Sequence, residues 1–301
     1  MLKAQIYDHG QFKFMDAGQT ISILLSSTAL RLNEAGIESA RTEASWMLMH
    51  ATGRSKMDLI MRPDEKMTTD QAEHLQILLS RRLEGVPIQY VLGVADFYGR
   101  SFTVSPDVLI PRPETEELVE SVLRLDAEVL GGGVIDLGTG SGCIPITIAC
   151  ERPGALCVGV DVSAAALRVA RSNASQLGAN VQWVEADMCD PALEEMLGRT
   201  FSVLISNPPY IPDEEAASLQ PEVRNHEPGL ALFSGSDPLH FYRALCEQAP
   251  RIVRSGGYVL VEIHADAGLA VLHLFEQAGW IDCALQQDLS GRDRIIRARM
   301  P

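Results

Sequence analysis

A short apolar run that leads into a glycine-rich loop and then a helix constrains this fold more than any other stretch. Residues 134–137 read as a buried strand, and the helical segment 143–149 follows the loop formed by Gly138, Thr139, Gly140, Ser141 and Gly142. Glycines let a ligand approach the backbone, and the helix N-terminus faces it. The order predicts an open α/β sheet with a ligand at the loop. Dinucleotide enzymes use a related loop, so the ligand's identity stays open.

Two further apolar strands end in acidic residues. Strand 156–160 runs into Asp161, about twenty positions beyond the loop, where a carboxylate accepts hydrogen bonds from ribose hydroxyls. Strand 181–184 is followed by Asp187 and Met188, which suit the amino group and the flat face of an adenine. The carboxyl ends of parallel strands share one edge of the sheet, so these residues are expected near the glycine loop.

A fourth strand, residues 203–206, ends in Asn207-Pro208-Pro209-Tyr210. Proline has a fixed φ and no N–H, and it holds the preceding residue extended, so the segment is presented in one conformation. Two fixed acceptors, Asn207 and the Pro208 carbonyl, suit a planar NH2 group, with Tyr210 packed on its face. Asn-Pro and Pro-Pro pairs also mark ordinary turns, so the motif alone leaves both interpretations open.

The pattern at the end of the chain predicts two more strands and then a final strand that runs in the opposite direction. A fifth strand at 258–263, a helix at 267–278 and a sixth strand at 280–289 precede a turn at Ser290-Gly291. The final segment, 294–300, is then expected to lie antiparallel to its neighbour. The pattern predicts a doubly wound sheet whose last strand is reversed.

The N-terminal part shows a helical period from residue 19 to about 85, where Thr68 and Gln71 have capping-box spacing. We therefore predict a helical domain at 1–85, a connector with a β-hairpin at 86–110, and a catalytic domain at 111–301. Pro113 and the acids after it suit a helix start. Arg112 and Glu116 are either part of that start or site residues.

Composition narrows the class of protein. The net charge is −15, and residues 101–301 contain 14 Lys and Arg against 28 Asp and Glu. A protein that grips phosphates normally carries a basic stripe, so the balance argues against a nucleic-acid partner. No apolar run has the length of a membrane span, and the first residues lack a signal peptide's apolar core, so we expect a cytoplasmic location. No long apolar stripe remains once the predicted cores are accounted for, which favours a monomer.

The six cysteines are widely spread, without a C-x-x-C pair or histidines at ligand spacing. Disulfides and a metal site are therefore not expected, and the thiols are predicted to be free.

The chain resembles the bacterial protein-(glutamine-N5) methyltransferases. The resemblance is carried by Gly-Val-Pro-Ile-Gln-Tyr at 85–90, Ile-Pro-Arg-Pro-Glu-Thr-Glu at 110–116, the loop at 136–142, Asp161 and Asn-Pro-Pro-Tyr at 207–210. It covers nearly the whole chain. It implies a class I S-adenosylmethionine-dependent methyltransferase fold and a methyl transfer to the glutamine amide of the Gly-Gly-Gln loop of peptide chain release factors, which the helical domain would bind.

The resemblance also implies roles for individual residues. Residues 138–142 would line the methionine part of S-adenosylmethionine, and Asp161 would hold the ribose. Asp187 and Met188 would flank the adenine, although an aromatic residue often stands at the Met188 position in the family. Asn207, with Pro208, Pro209 and Tyr210, would hold the substrate amide, and Asn207 would also contact the cofactor.

Three other functions remain open at this point. A sister enzyme methylates a glutamine of a ribosomal protein with a similar motif and the same cofactor. An amino-methyltransferase acting on RNA or DNA shares the Asn-Pro-Pro-Tyr motif. The third alternative is a cofactor-binding interaction protein without catalysis, against which the intact glycines, Asp161 and Asn207 argue.

Overall fold

The computed structural model describes residues 18–301, and these divide into two compact units with the boundary between Leu92 and Gly93. Residues 1–17, on which the expectation about a signal peptide rests, lie outside the described residues. The segment predicted as a connector is shared between the units: its first residues belong to the helical unit and the hairpin belongs to the second unit.

The described part of the first unit is helical, with α1 (Ile21–Glu34), α2 (Ala40–Thr52), α3 (Lys56–Met61), α4 (Thr69–Leu83) and α5 (Ile88–Leu92). The predicted capping box at the start of α4 is confirmed, because Thr68 and Gln71 each bond the other's backbone N–H. Leu24, Leu48 and Leu75 are fully buried where α1, α2 and α4 meet. Apolar residues at helical spacing therefore form this unit's core.

The second unit alternates strands and helices. Its strands are β1 (Val94–Phe97), β2 (Arg100–Thr103), β3 (Val134–Leu137), β4 (Cys157–Asp161), β5 (Val181–Glu185), β6 (Phe201–Ser206), β7 (Ile211–Pro212), β8 (Phe233–Gly235), β9 (Val253–Glu262), β10 (Ile281–Gln287) and β11 (Asp293–Arg299). Its helices are α6 (Pro113–Leu123), α7 (Ala127–Leu130), α8 (Cys143–Glu151), α9 (Ala164–Leu177), α10 (Leu193–Leu197), α11 (Pro221–His226), α12 (Gly229–Leu232), α13 (His240–Ile252) and α14 (Gly268–Gln277). Strands β1 and β2 form an antiparallel hairpin.

Seven strands form the central sheet in the order β10-β11-β9-β6-β3-β4-β5. Strands β9, β6, β3, β4 and β5 are parallel, whereas β11 is antiparallel to both of its neighbours, β9 and β10. The predicted doubly wound sheet with a reversed last strand is confirmed. The chain order changes direction at β3, which lies between β4 and β6, and ligands bind beyond the carboxyl ends of strands at such a point.

The two faces of the sheet are buried under different helices. Ile135 and Leu204 pack in one cluster with residues of α13 and α14, whereas Val134, Val203 and Ile205 pack in another with residues of α6 and α8. Successive strand residues point to opposite faces, so β3 and β6, whose residues are all buried, contribute apolar side chains to both cores. The rigid strand ends then carry the site.

Between residues 18 and 301, no helix combines the length and the apolar character that a bilayer crossing requires. All six cysteines are free thiols, as predicted.

Candidate active site

A cavity of about 450 Å³ opens at the carboxyl ends of β3, β4, β5 and β6. Its volume is typical of a small-molecule site. The sequence-predicted residues that line it are Gly138, Gly140, Asp161, Asp187, Met188, Asn207 and Pro209. The four strand ends therefore bring together residues that are up to about seventy positions apart in the chain.

The cavity depends on two residues that lack a side chain. A Cβ at Gly138 would lie 2.9 Å from the Cε of Met188, so any side chain there would displace the methionine. Gly140 has a φ of +54°, and apart from its two chain neighbours no residue has a heavy atom within 4 Å of the place where its Cβ would be. A side chain at either position would occupy the space that a ligand needs, so the loop fits a ligand lying directly on its backbone.

Asp161 is tied to the glycine loop by its own carboxylate. Its Oδ2 accepts a hydrogen bond from the Gly140 N–H at 2.8 Å, and its Oδ1 accepts one from the Ser163 N–H at 2.9 Å. Burial raises the pKa of this carboxyl, and hydrogen bonds from the backbone of Ser163, Gly140 and Val162 oppose that rise. Each oxygen keeps a second lone pair, so the side chain can still accept from two hydroxyls of a ligand.

The lining of the cavity is acidic. Asp107, Asp161 and Asp187 line it, and among its described lining residues there is neither a lysine nor an arginine. Such a lining suits a ligand with a cationic group and hydroxyls, and it does not suit the pyrophosphate of a dinucleotide. The cavity therefore fits S-adenosylmethionine better than a nicotinamide dinucleotide.

The remaining loop residues lie behind the cavity. Thr139, Ser141 and Gly142 are buried and are not among the residues that line it. The buried Asn173 of α9 donates from its amide nitrogen to the Ser141 carbonyl at 2.9 Å and holds the loop from below. These loop positions shape the backbone, although the sequence predicted that all five would line the cofactor.

Asp136 lies fully buried beneath the same loop, on β3. Burial raises the pKa of its carboxyl to about 7, against an opposing effect of the Thr139 hydroxyl. A carboxyl in such surroundings holds its proton at neutral pH far more readily than a surface aspartate does.

A second, smaller cavity of about 90 Å³ also has Asn207 in its lining. Pro208, Tyr210, Arg112 and Ile211 line it, and Leu109, Asn207 and Ala231 line both cavities. The Ser206 hydroxyl, fully buried, donates to the Leu137 carbonyl at 2.6 Å and locks the ends of β6 and β3 together. Asn207 is thus held at a fixed position in the wall between the two cavities.

Behind Asn207 lies a buried hydrogen-bond network that the sequence did not predict. The amide nitrogen of Asn207 donates to the Thr115 hydroxyl oxygen at 3.2 Å, and that hydroxyl donates to Oε2 of Glu262 at 2.7 Å. The Tyr210 hydroxyl reaches the other oxygen of Glu262 at 3.4 Å. One carboxyl group at the end of β9 is therefore linked to both ends of the 207–210 motif, to Tyr210 directly and to Asn207 through the Thr115 hydroxyl.

Burial governs the ionisation of this network. It raises the pKa of Glu262 to about 7 and the pKa of the Tyr210 phenol well above its usual value. Tyr210 therefore remains a neutral hydrogen-bond donor across the physiological range, whereas Glu262 changes charge within it.

Arg112 and Glu116, which the sequence left open, have separate partners. Arg112 lines the second cavity and forms an ion pair with Glu227, whose side chain is buried and also accepts from the Ile110 N–H. Glu116 accepts a hydrogen bond from the Tyr98 N–H at 2.8 Å. Arg112 therefore belongs to the site, and Glu116 fastens the hairpin to α6.

One group of residues that line the larger cavity was not predicted from the sequence. Residues 106–109, residues 228, 230 and 231, and the pair His240 and Phe241 line it from outside the central strands. The prolines at 106 and 228 mark turns, but turns alone do not indicate what they cover.

Comparison with known proteins gives the family. The description "PrmC N-terminal domain" matches residues 24–93, and "Methyltransferase small domain" matches residues 115–221. The release factor glutamine methyltransferase of Geobacter sulfurreducens is 38% identical over 281 residues, which cover 93% of this chain and 97% of that protein. The Cereibacter sphaeroides protein of the same name is 40% identical and covers 92% of this chain and 97% of its own length. The chain belongs to the release factor glutamine methyltransferase family.

A solved structure of the release factor glutamine methyltransferase family also matches. It is the release factor-specific protein-(glutamine-N5) methyltransferase from Alicyclobacillus acidocaldarius, 30% identical, with a TM-score of 0.39, covering 66% of this chain and all of that chain. The family membership confirms the resemblance on which the sequence interpretation rested. It also confirms the class I methyltransferase fold, because the methyltransferase domain match covers β3 to β7 of the observed sheet.

Proposed function

We propose that this protein transfers a methyl group from S-adenosylmethionine to the side-chain amide nitrogen of the glutamine in the Gly-Gly-Gln motif of peptide chain release factors. The observation that carries the proposal is the position of Asn207 between a cofactor-sized acidic cavity and a smaller cavity. Family membership supports the choice of substrate, because the relatives are named for it.

The larger cavity is the proposed cofactor site. Gly138 and Gly140 leave room for the methionine part, Asp161 accepts from the ribose, and Asp187 with Met188 flanks the adenine. Thr139, Ser141 and Gly142 hold the loop in shape. When bound, S-adenosylmethionine supplies a methyl group that the positive charge on its sulfur has already activated.

The smaller cavity is the proposed site of the glutamine side chain. The Asn207 side chain and the Pro208 carbonyl accept hydrogen bonds from the two amide hydrogens, and Tyr210 confines the plane of the amide, while Pro209 borders the site from the larger cavity. An amide nitrogen is a poor nucleophile because its lone pair is delocalised. Two fixed acceptors favour the geometry in which that lone pair is available, so these residues act by positioning and preorganised electrostatics.

The helical unit, predicted as residues 1–85, is the proposed recognition domain for the release factor, which would make the enzyme a protein-specific catalyst. The match of residues 24–93 to a domain of its own supports this division. A peptide that carries only the Gly-Gly-Gln sequence would miss these contacts. It is expected to be methylated with a higher KM than the whole factor.

A labelling assay tests the proposal. Purified enzyme is incubated with radiolabelled S-adenosylmethionine and, in separate reactions, with release factor, ribosomal proteins or total RNA. Label in the release factor, lost when its Gly-Gly-Gln glutamine is replaced by alanine, is the expected outcome. Label in a ribosomal protein or in RNA alone would show that the substrate assignment is wrong.

A further inference from the structure

An asparagine side chain presents a donor at one end and an acceptor at the other, so its usefulness depends on which end faces the substrate. A substrate NH2 group needs the oxygen. In this protein the nitrogen of Asn207 is committed to Thr115, which leaves the oxygen for the substrate. The orientation of the Asn207 amide therefore depends on the group that makes the Thr115 hydroxyl oxygen accept a hydrogen bond.

We propose that Glu262, acting through the Thr115 hydroxyl, is a positioning residue that holds the amide oxygen of Asn207 toward the glutamine and fixes Tyr210 beside it. This inference rests on the proposed function and adds two residues to it, one on α6 and one at the end of β9. Neither belongs to the 207–210 motif, and they are separated by 147 positions in the chain.

The direction of the network follows from the chemistry of its members. An ionised carboxylate can only accept hydrogen bonds, so the single proton of the Thr115 hydroxyl points to Glu262 at 2.7 Å. The oxygen of that hydroxyl is then left with lone pairs alone. It can only accept from the Asn207 amide, whose nitrogen lies 3.2 Å away. The negative charge of Glu262 thus selects one of the two orientations of the amide.

Protonation of Glu262 removes the preference for one orientation of the Asn207 amide. A neutral carboxyl donates its own proton and can give it to the Thr115 oxygen. The Thr115 hydroxyl is then free to donate to the amide oxygen of Asn207, which turns the wrong end of that side chain toward the substrate. Tyr210 loses the charged acceptor for its hydroxyl in the same step.

The groups that surround Glu262 determine its pKa, and their combined effect is that this carboxyl gains its proton near neutral pH. Burial is the main cause that raises its pKa to about 7; the Thr115 hydroxyl and Arg294 of β11 act against it, and Glu114 of α6 adds to it. Tyr210 faces the same carboxyl, and Tyr242 of α13 donates to the Glu262 backbone carbonyl at 3.1 Å. The thiol of Cys143, on α8, is neutral because burial raises its pKa to about 12.

Kinetics at several pH values test the proposal. Glu262→Gln keeps the shape but removes the charge, and its kcat is expected to fall on the order of 10²-fold, because misplacement of a reacting group by about 1 Å costs that much. The KM for S-adenosylmethionine should stay within about twofold of the wild-type value. The wild-type kcat should decline below about pH 7, and this decline should be absent in Glu262→Gln.

Substitutions at Thr115 separate the hydroxyl from the shape of the side chain. Thr115→Val keeps the volume and loses the relay, so it should resemble Glu262→Gln. Thr115→Ser keeps the hydroxyl and should retain most of the wild-type kcat. Glu128→Gln, which removes a charge from an exposed position on α7, is the matched control and should have no effect. Unfolding temperatures of all variants identify any that fail to fold.

A second readout needs no substrate. In ¹⁵N-labelled protein the side-chain amide signal of Asn207 is identified by its loss in Asn207→Ala, and it should shift with pH with a midpoint near 7 in wild type. The shift should vanish in Glu262→Gln. If release factor is not methylated but this titration is seen, the proposed function fails while the positioning role stands.

The opposite results would overturn the positioning role. They are a Glu262→Gln variant with wild-type kcat at pH 8, a decline below pH 7 that persists in that variant, or an Asn207 amide signal that does not respond to pH. A persistent decline would assign the titration to another group, such as Asp136.

Discussion

At the scale of single residues, Asn207 is the side chain on which transfer should depend most. Asn207→Ala removes an acceptor of the substrate amide and leaves the glycine loop and Asp161 in place. We expect kcat to fall by on the order of 10²–10³-fold, the cost of losing one preorganised group at a reacting centre. Cofactor affinity, measured by calorimetry, should change by no more than a few-fold. Full activity in this variant would remove Asn207 from the mechanism.

A substitution at Gly140 should have the complementary effect, because it should abolish binding of S-adenosylmethionine rather than slow the methyl transfer step. Gly140→Val puts a branched side chain into the open space above the loop, at a φ of +54° that such residues rarely adopt. We expect no detectable binding of S-adenosylmethionine by calorimetry. Gly154→Val is the matched control, because Gly154 also has a positive φ and open space but lies outside the cavity. Equal loss of binding in both variants would point to misfolding instead.

At the scale of elements, the Arg112–Glu227 pair connects the segment before α6 with the segment after α11. Both segments line the cavities, through Leu109 on one side and Ala231 on the other. The pair therefore ties together two segments that line the cavities. Pairs whose charge is buried on one side stabilise mainly when both partners are present.

Removing that charge should widen the site. Glu227→Gln leaves Arg112 without its counter-ion, so we expect a rise in the KM for release factor of roughly tenfold, equivalent to about 1.4 kcal/mol. The unfolding temperature should fall as well. Glu128→Gln removes the same charge from the surface and should leave both values unchanged. A normal KM in Glu227→Gln would show that the walls are held by other contacts.

The contrast between strands and connecting segments explains which parts of the site were predictable from sequence. Strands β3 to β6 are mostly apolar and lead into Gly138, Asp161, Asp187 or Asn207, and a parallel sheet must bring such ends to one edge. The position of Thr115 and of residues 228–231 depends on long-range packing, which has no local pattern. Glu262 did carry a signal, since it is a lone carboxylate at the end of an apolar strand on the same edge.

At the scale of the whole molecule, two buried carboxyls should make the protein less stable as pH rises. The pKa values of Asp136 and Glu262 are raised by burial from 3.8 and 4.5 to about 7. The folded state therefore keeps two protons that the unfolded chain has already lost. Their contribution to stability is complete below about pH 4 and is lost as pH rises through about 7.

The expected observation is a fall in unfolding temperature between pH 5.5 and pH 8.5, corresponding to on the order of 2 kcal/mol for each carboxyl. His50, whose pKa is lowered by partial desolvation, acts in the opposite sense but is a single side chain of an exposed residue. Scanning calorimetry on the full chain measures the trend. In Glu262→Gln the slope should be shallower, and an unfolding temperature that rises with pH would contradict the assignment.

The shared wall at Asn207 also bears on inhibition. Because Leu109, Asn207 and Ala231 border both cavities, a molecule that joins an adenosyl amino acid to a carboxamide needs only a short tether to fill the two at once. Tethering raises the effective concentration of each half at its own site, so the affinities of the halves reinforce one another. An adenosyl compound lacking the carboxamide arm would gain nothing from the smaller compartment, and selectivity over enzymes without that compartment would come from the arm.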